Sequence, residues 1–236
     1  MSTIDIRPAE RRFHTEIDWL DSHHSFSFGP HYDAANQGHG LLLVLNDDTV
    51  RAGTGFGMHP HRDMEIVTWV LEGKLEHRDS EGNYGLIYPG LAQRMSAGTG
   101  IRHSEFNPDP DVDVHFLQMW VPPDTNGIPP GYEQQDVQEL LDTGELVAVA
   151  SGQGHAGAIT IHQRDAVLWV GRLAADKQVD VPAGGHVHVY VARGQGELGD
   201  AVLLTGDAAR LTDVTDAELT FTAGPDGAEV VIWATA

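Results

Sequence analysis

Cysteine is missing from this chain of 236 residues. Its absence excludes disulfides, thiolate-bound zinc, iron–sulfur clusters and a thiol nucleophile. Cationic residues are also scarce, because 14 Lys and Arg stand against 35 Asp and Glu and leave a formal net charge of -21. No run of Lys or Arg offers a patch for a phosphate backbone, so we expect no direct nucleic-acid partner.

Long apolar runs are absent too. No stretch approaches the roughly 18 apolar residues of a membrane span, and Met1–Arg12 lacks the apolar centre of a signal peptide. With 41% hydrophobic and 21% charged residues, the chain has enough apolar material for a sizeable core. We therefore expect a cytoplasmic protein with no membrane partner.

Helical periodicity is nearly absent, and short β-rich runs alternate with Gly, Pro, Asn and Asp. Only Gln135–Asp142 has a pattern that predicts a helix, of about two turns. Many short strands with turn residues between them predict an all-β protein made of sandwiches or barrels. The clearest predicted strands are Leu41–Asn46, Glu65–Leu71, His115–Pro122, Val167–Leu173, Val187–Ala192 and Glu229–Ala234.

The chain has one candidate domain boundary. Residues 122–131 carry four of the 12 prolines and predict a linker or a long surface loop. The strand pattern resumes after this segment. We therefore predict two β domains, 1–134 and 135–236.

Two pairs of polar residues have the i, i+2 spacing that places both side chains on one face of a strand. They are His59-Pro60-His61 and His103-Ser104-Glu105. If the two strands lie together, three imidazoles and one carboxylate converge, a set that suits Fe(II), Mn(II), Ni(II), Cu(II) or Zn(II). In a six-coordinate metal, two positions stay open for substrate and dioxygen or water. The alternative is that these four residues are buried without a metal and hydrogen-bond one another. Their polar groups would then be costly to satisfy.

The spacing around these pairs resembles the two sequence motifs of the cupin superfamily, a β-barrel of the jelly-roll type. Gly53–Gly73 contains the His-x-His pair of the first motif, with a final spacer one residue longer than usual. Gly100–Asn107 ends the second motif, in which Ala92 replaces the opening glycine and Gly98 stands where proline is usual. None of these departures affects a ligand position.

Longer segments are similar to the pirin family of bicupins: Trp19–Phe28, His59–Glu65 and Ser96–Glu105. The resemblance runs from about Arg11 to the C-terminus and is most specific in the N-terminal half. It implies two cupin barrels in tandem, with an active N-terminal site and a degenerate C-terminal one. In pirins the metal is held by the His-x-His pair and by the later His and Glu, which are here His59, His61, His103 and Glu105.

The resemblance also implies a quercetin 2,3-dioxygenase type of activity, in which O2 opens the central ring of a flavonol and CO is released. We expect one divalent metal ion, Fe(II), with Mn, Ni, Cu or Zn as alternatives, and a small flavonol-like aromatic substrate. Glu105 is the candidate proton acceptor. Two alternatives stay open: a pirin-like redox sensor that binds protein partners without turnover, and a metal that only stabilises the barrel.

A weak internal repeat relates Glu65–Gly73 to His186–Gly194, and a second register relates Ala97-Gly98 to Ala223-Gly224. Neither register places a histidine opposite a candidate ligand. We therefore predict that the second half kept the strands, lost the ligands and is metal-free. The residues opposite the four candidates in these registers are Asp180, Pro182, Glu229 and Val231.

Several nearby residues receive secondary roles. We predict that Glu65 orients one of the histidines, and that His77 is solvated on a charged strand face. Gly194–Gly199 matches the dinucleotide-binding fingerprint, but the following residues predict a strand, so we expect a hairpin turn. The side chains predicted to line the pocket mouth are Phe56, Met58 and Met119.

Overall fold

A computed structural model describes residues 3–215 and 219–236. Strand accounts for 59% of the chain and helix for 3%, which confirms the all-β prediction. The chain folds into two cupin barrels in tandem. The elements of the first half are β1 (Thr3–Arg7), a 3-10 turn (Ala9–Arg11), β2 (Phe13–Ile17), β3 (Leu20–His24), β4 (Val44–Val50), β5 (Gly55–His61), β6 (Glu65–Glu72), β7 (Leu75–Asp79), β8 (Tyr84–Ile87), β9 (Leu91–Ser96), β10 (Ile101–Phe106), β11 (Val114–Val121) and β12 (Gly131–Asp136).

The first barrel is built from a seven-stranded sheet, β12-β9-β6-β11-β4-β3-β2, and a four-stranded sheet, β5-β10-β7-β8. Apolar side chains from both sheets meet inside it in two separate clusters. One cluster includes Leu75 and Phe116, and the other includes Ile66 and Ile101. The space between the sheets is therefore not filled by a single apolar core.

The second barrel forms one continuous sheet, β1-β19-β17-β20-β15-β13-β14, with β16 paired to β20 and β18 to β17. Its interior is filled by one large apolar cluster. The elements of the second half are α1 (Gln138–Leu141), β13 (Val147–Ser151), β14 (Ile159–Thr160), β15 (Ala166–Leu173), β16 (Gln178–Asp180), β17 (Gly184–Leu198), β18 (Ala201–Leu204), β19 (Ala208–Val214) and β20 (Thr220–Thr235).

The predicted division at residues 134 and 135 falls inside β12, which pairs along its whole length with β9 of the first barrel. At the other end of the chain, β1 pairs with β19 and completes the sheet of the second barrel. Such edge pairings join segments that are distant in sequence, and a composition change does not report them. We propose to divide the chain after β12 and to assign β1 to the second barrel.

The predicted helix is shorter than expected. It covers only Gln138–Leu141, because Gln135 and Asp136 belong to β12. Within the described ranges, no helix is long and apolar enough to cross a membrane. The Gly-x-Gly-x-x-Gly segment forms the end of β17, and its last glycine, Gly199, begins the hairpin turn to β18, so the predicted hairpin is present.

The two barrels share a buried interface. The largest apolar cluster joins residues of β6 and β11 to residues of β15, β17 and β20. Polar contacts cross it too: Trp69 Nε1 donates to Glu229 Oε1 at 2.8 Å, and Tyr190 donates its hydroxyl proton to Asp47 Oδ2 at 2.6 Å. Glu229 therefore lies at the interface, and not at the position equivalent to His103 that the second repeat register predicted.

Candidate metal centre

The two histidine-bearing strands are direct neighbours. In the antiparallel pairing of β5 and β10, His103 lies opposite His59, and Ile101 lies opposite His61. The register shifts between His103 and Glu105, so Glu105 lies opposite Phe56. The i, i+2 pairs on both strands therefore point into the same space between the two sheets.

Gly55 makes this irregular pairing possible. A Cβ atom at Gly55 would lie 2.3 Å from the Glu105 carbonyl oxygen and 2.6 Å from the Phe106 Cα. Only a residue without a side chain allows so close an approach of the two backbones. The glycine therefore helps to set the position of Glu105.

The three imidazoles form a compact group. One ring nitrogen from each of His59, His61 and His103 lies within 4.8 Å of the others. The ring centroids of His59 and His103 are 4.4 Å apart, and His61 is 4.9 Å from each of them. Burial and the neighbouring imidazoles lower the pKa of His61 to about 4 and that of His103 to about 3. Both rings are therefore neutral at pH 7, as metal ligands must be.

The free nitrogens of this group face one another. Nδ1 of His59 lies 2.8 Å from the Gly57 carbonyl oxygen, so it carries the proton and Nε2 keeps its lone pair. The Nε2 atoms of His61 and His103 are buried and have no hydrogen-bond partner among the described residues. Buried polar atoms without a partner are costly. A divalent ion would satisfy all three nitrogens, so the donor set fits a metal.

A second histidine sets the tautomer of His103. Nε2 of His77 lies 3.2 Å from Asp79 Oδ2 and therefore carries a proton, since a carboxylate only accepts. The other nitrogen of His77 lies 3.4 Å from His103 Nδ1, which then donates. This leaves the lone pair of His103 on Nε2. The contact with His77 therefore directs Nε2 of His103 towards the place where a metal would bind.

The prediction that His77 is solvated was wrong. The side chain is 1% exposed, because Leu75, His77 and Asp79 face the barrel interior while Arg78 faces outward. Alternation along β7 was the signal that could have identified it. His77 and Asp79 are functional candidates that sequence reasoning missed.

Glu105 lies beside the imidazoles, with its Oε2 4.0 Å from His103 Nε2. Both carboxylate oxygens accept hydrogen bonds of 2.8 Å from Nε2 of Gln118, on the opposite sheet. Trp120 Nε1 donates to Gln118 Oε1 at 3.2 Å, which fixes the orientation of the amide. The carboxylate is thus held between the two sheets, at the edge of the imidazole group.

A cavity of about 260 Å³ opens next to these residues. Its volume lies just below the range of about 300–1,000 Å³ that is usual for small-molecule sites. His59, His61 and Glu105 lie on one side, and aromatic rings of Phe28, Phe56 and Trp120 line the walls. Trp120 contacts both Phe28 and His61 edge to face. Such walls suit a planar aromatic ligand.

A buried carboxyl group also borders the cavity. Asp48 is 3% exposed and forms a hydrogen bond with Ser22. Burial raises the pKa of Asp48 to about 8, and the charges of Asp47 and Glu105 add to the effect. The cavity therefore contains one carboxyl group that is protonated near neutral pH when no metal is bound.

Comparison with known proteins gives the family. A family profile described as Pirin matches residues 6–121, and one described as a quercetinase C-terminal cupin domain matches residues 148–232. Quercetin 2,3-dioxygenase of Escherichia coli K12 is 42% identical over 212 residues, which cover 89% of this chain and 90% of that protein. This chain belongs to the pirin family. A Mycobacterium bovis protein provisionally named as a quercetin 2,3-dioxygenase is 51% identical over 98% of the chain and 95% of its own length.

Solved pirin structures share the whole architecture. The crystal structure of YhhW from Escherichia coli is 38% identical, has a TM-score of 0.91 and covers 99% of this chain and 98% of its own. A second structure, of the bacterial pirin YhhW in complex with nickel(II), has a TM-score of 0.89 and 37% identity over 99% of both chains. The expectation of a pirin bicupin is therefore confirmed.

Glu65 does not orient one of the candidate ligands. Its Oε2 accepts hydrogen bonds from Ser96 Oγ at 2.9 Å and from the His162 backbone at 3.0 Å, and it lies 3.3 Å from His162 Nδ1. The residue that it positions comes from the second half of the chain. The prediction failed because the strand pattern does not report which segment covers the end of β6.

Of the side chains predicted to line the pocket mouth, only Phe56 does so. Met58 is 49% exposed on the outer surface of β5. Met119 is fully buried at the barrel interface, where Trp233 Nε1 donates to its Sδ atom at 3.1 Å. Phe28, Gln118 and Trp120 line the cavity instead.

Proposed function

We propose that this pirin is a metal-dependent dioxygenase of the quercetin 2,3-dioxygenase type, which opens the central ring of a flavonol with O2 and releases CO. One observation carries the proposal: three imidazoles with converging nitrogens border an aromatic-walled cavity, with Glu105 beside them. The names of the relatives support the same reaction class. We propose that the bound ion is Fe(II) and that the protein is located in the cytoplasm.

In this proposal, His59, His61 and His103 hold the metal through their Nε2 atoms, and Glu105 is the fourth ligand. When bound, the metal supplies Lewis acidity that lowers the pKa of a coordinating hydroxyl group. Glu105 accepts the proton of the flavonol 3-hydroxyl on a carboxylate oxygen, while Gln118 keeps the carboxylate in place. Phe28, Phe56 and Trp120 hold the planar ring system and exclude water.

The first experiment asks which ion is present and whether substrate reaches it. Protein purified without added metal is measured by elemental analysis, titrated with quercetin without oxygen and then exposed to air. We expect one divalent ion per chain, a spectral change on anaerobic binding, and loss of flavonol absorbance with oxygen uptake after exposure to air. Metal retention without turnover of any flavonol would contradict the enzyme and favour the redox sensor.

The second experiment tests the role of Glu105. Glu105→Gln keeps the shape of the side chain and removes its ability to accept a proton. We expect turnover to fall at least about 100-fold, the usual contribution of a general base, with the metal content unchanged. Unchanged turnover would contradict the role of Glu105 as base.

A further inference from the structure

A second cavity, of about 200 Å³, lies where the chain crosses from β1 to β2. It shares no lining residue with the metal cavity. Its walls come from the N-terminal segment, from the loop after β3 and from β17 and β19 of the second barrel. Four of the 14 cationic side chains of this acidic protein line it: Arg7, Arg11, Arg12 and Arg210.

Three lining residues carry buried polar atoms without a hydrogen-bond partner among the described residues. They are Oγ of Ser25, both ring nitrogens of His188, and Nε of Arg210. These side chains belong to residues that are 8%, 1% and 7% exposed, respectively. Partnerless buried polar atoms are uncommon, and a group of them around one cavity calls for bound water or a ligand as partner. The same property marks His61 and His103 at the metal centre.

Arg210 has only neutral hydrogen-bond partners among the described residues. Its Nη2 atom donates to the Ser25 carbonyl oxygen at 2.9 Å and to Asn36 Oδ1 at 2.7 Å. Its guanidinium lies 4.4 Å from the centre of the Phe26 ring, which attracts the cation but does not neutralise it. Asp5, its partner across the β1–β19 pair, attracts the guanidinium electrostatically but does not hydrogen-bond it, while Arg7 repels it. A buried cation that is only partly compensated in this way is costly.

The other cations of the cavity differ in how far they are already neutralised. Arg12 is paired with Asp47 at 2.9 Å and also donates to the Tyr190 hydroxyl at 2.8 Å. Within the described part of the chain, Arg7 pairs only with Asp5, at 3.6 Å and in a partly exposed position. Asp33 brings one carboxylate to the exposed rim, where its Oδ1 accepts the backbone N–H of Ala35. The four arginines of the lining thus face three carboxylates, those of Asp5, Asp33 and Asp47, and the cavity keeps an excess of positive charge.

We propose that this cavity binds a small oxyanion, a carboxylate or a phosphate group, between Arg7 and Arg210. The guanidinium groups supply the charge and the N–H donors, and Ser25 and His188 supply further donors on the buried side. Arginine is well suited to this role because its planar fork matches two oxygens of a carboxylate or phosphate. The volume admits only a small molecule or the acidic end of a larger one.

Calorimetric titration of the metal-loaded protein at low ionic strength tests the site, with inorganic phosphate in one arm and succinate in the other. We expect saturable binding in at least one arm, and the arm that binds identifies the oxyanion. Arg7→Gln and Arg210→Gln should each weaken binding at least about tenfold, because each removes a charge-assisted contact. Arg210→Lys should restore part of the affinity, since it keeps the charge.

Arg164→Gln is the matched control, since it removes the same charge from an exposed side chain that pairs with Asp124 elsewhere. It should leave binding unchanged. Binding that Arg7→Gln and Arg210→Gln leave intact would place the anion at the metal instead and overturn the proposal. The absence of saturable binding in both arms would also overturn it and show that the cavity holds only water. Arg7→Gln keeps the test valid if Arg210→Gln fails to fold, because Arg7 is partly exposed.

Discussion

The two barrels have the same strand order, but the interior of the first contains a polar centre and that of the second is apolar. The order β12-β9-β6-β11-β4-β3 in the first barrel corresponds to β1-β19-β17-β20-β15-β13 in the second. Val179 pairs with Phe221 as His59 pairs with His103, and Gly196 pairs with Ala223 as His77 pairs with Glu105. The second-barrel residues at the positions of His59, His61, His103, Glu105 and Gln118 are Val179, Val181, Phe221, Ala223 and Ile232.

All five of these second-barrel residues belong to one apolar cluster. In the first barrel, the same positions hold the polar centre that separates two smaller apolar clusters. The second barrel is thus stabilised by a continuous apolar core. In the first barrel, polar residues of the candidate site replace part of that core. That the second barrel binds no metal stays a prediction, and its apolar interior supports it.

The comparison also corrects the repeat register. The register from β6 and β17 placed Asp180 and Pro182 at the positions of the His-x-His pair, whereas the inward-facing residues are Val179 and Val181. A shift of one residue exchanges the two faces of a strand. The connections before β6 and β17 differ by one residue, so a register that holds for one strand fails for the preceding one.

The largest expected effect comes from giving the first barrel a residue of the second. His59→Val removes one of three converging nitrogens and installs the side chain found at Val179. We expect the metal content to fall to background, measured by elemental analysis, while the fold persists. His186→Gln, a change of a second-barrel histidine that hydrogen-bonds the Ala236 carbonyl, is the control and should leave the metal in place. Full metal content in His59→Val would contradict the assignment.

A smaller effect is expected from His77, which contacts the candidate ligand His103 and not the metal position itself. His77→Ala removes the acceptor that holds the proton of His103 on Nδ1, at a position where the second barrel has Gly196. We expect the metal affinity to fall about 10–100-fold, the usual effect of removing such a partner. Competition with a chelator measures it. Glu76→Gln, on the outer side of the same strand, is the control, and equal affinities in the two variants would show that His77 only fills space.

The third effect is confined to the metal-free protein and concerns Asp48, which has Gly171 as its counterpart. The pKa of Asp48 is raised from 3.8 to about 8 by burial, so the folded protein binds the proton more tightly than the unfolded chain does. The stabilisation is fully present below pH 3.8 and is lost as the pH rises through about 8. In metal-free protein, the free energy of unfolding should therefore fall by up to about 1.4 kcal/mol per pH unit across this window.

Asp48→Asn should remove this pH dependence, and urea unfolding with chelator at several pH values measures it. Asp200→Asn, an exposed residue in the β17–β18 hairpin, is the control. A parallel decline in the wild type and in Asp48→Asn would show that another group is responsible.

Sequence reasoning was strongest where the signal is local. The i, i+2 spacing predicted that His59 and His61 share a face, and the family resemblance brought His103 next to them. It was weakest where distant segments meet. The contact of Glu65 with His162 and the pairing of β1 with β19 both depend on segments far apart in the chain. The burial of His77 is different, because the alternation along β7 indicated it locally and was misread.

The most direct test of the central claim is oxygen uptake during stepwise metal restoration. The apoprotein is supplied with Fe(II) in portions, and the rate of oxygen consumption with quercetin is followed. The account predicts that the rate rises in proportion to bound iron, reaches a plateau at one ion per chain and is absent in His59→Val. Oxygen consumption that is independent of bound metal, or that persists in His59→Val, would contradict a dioxygenase centre in the first barrel.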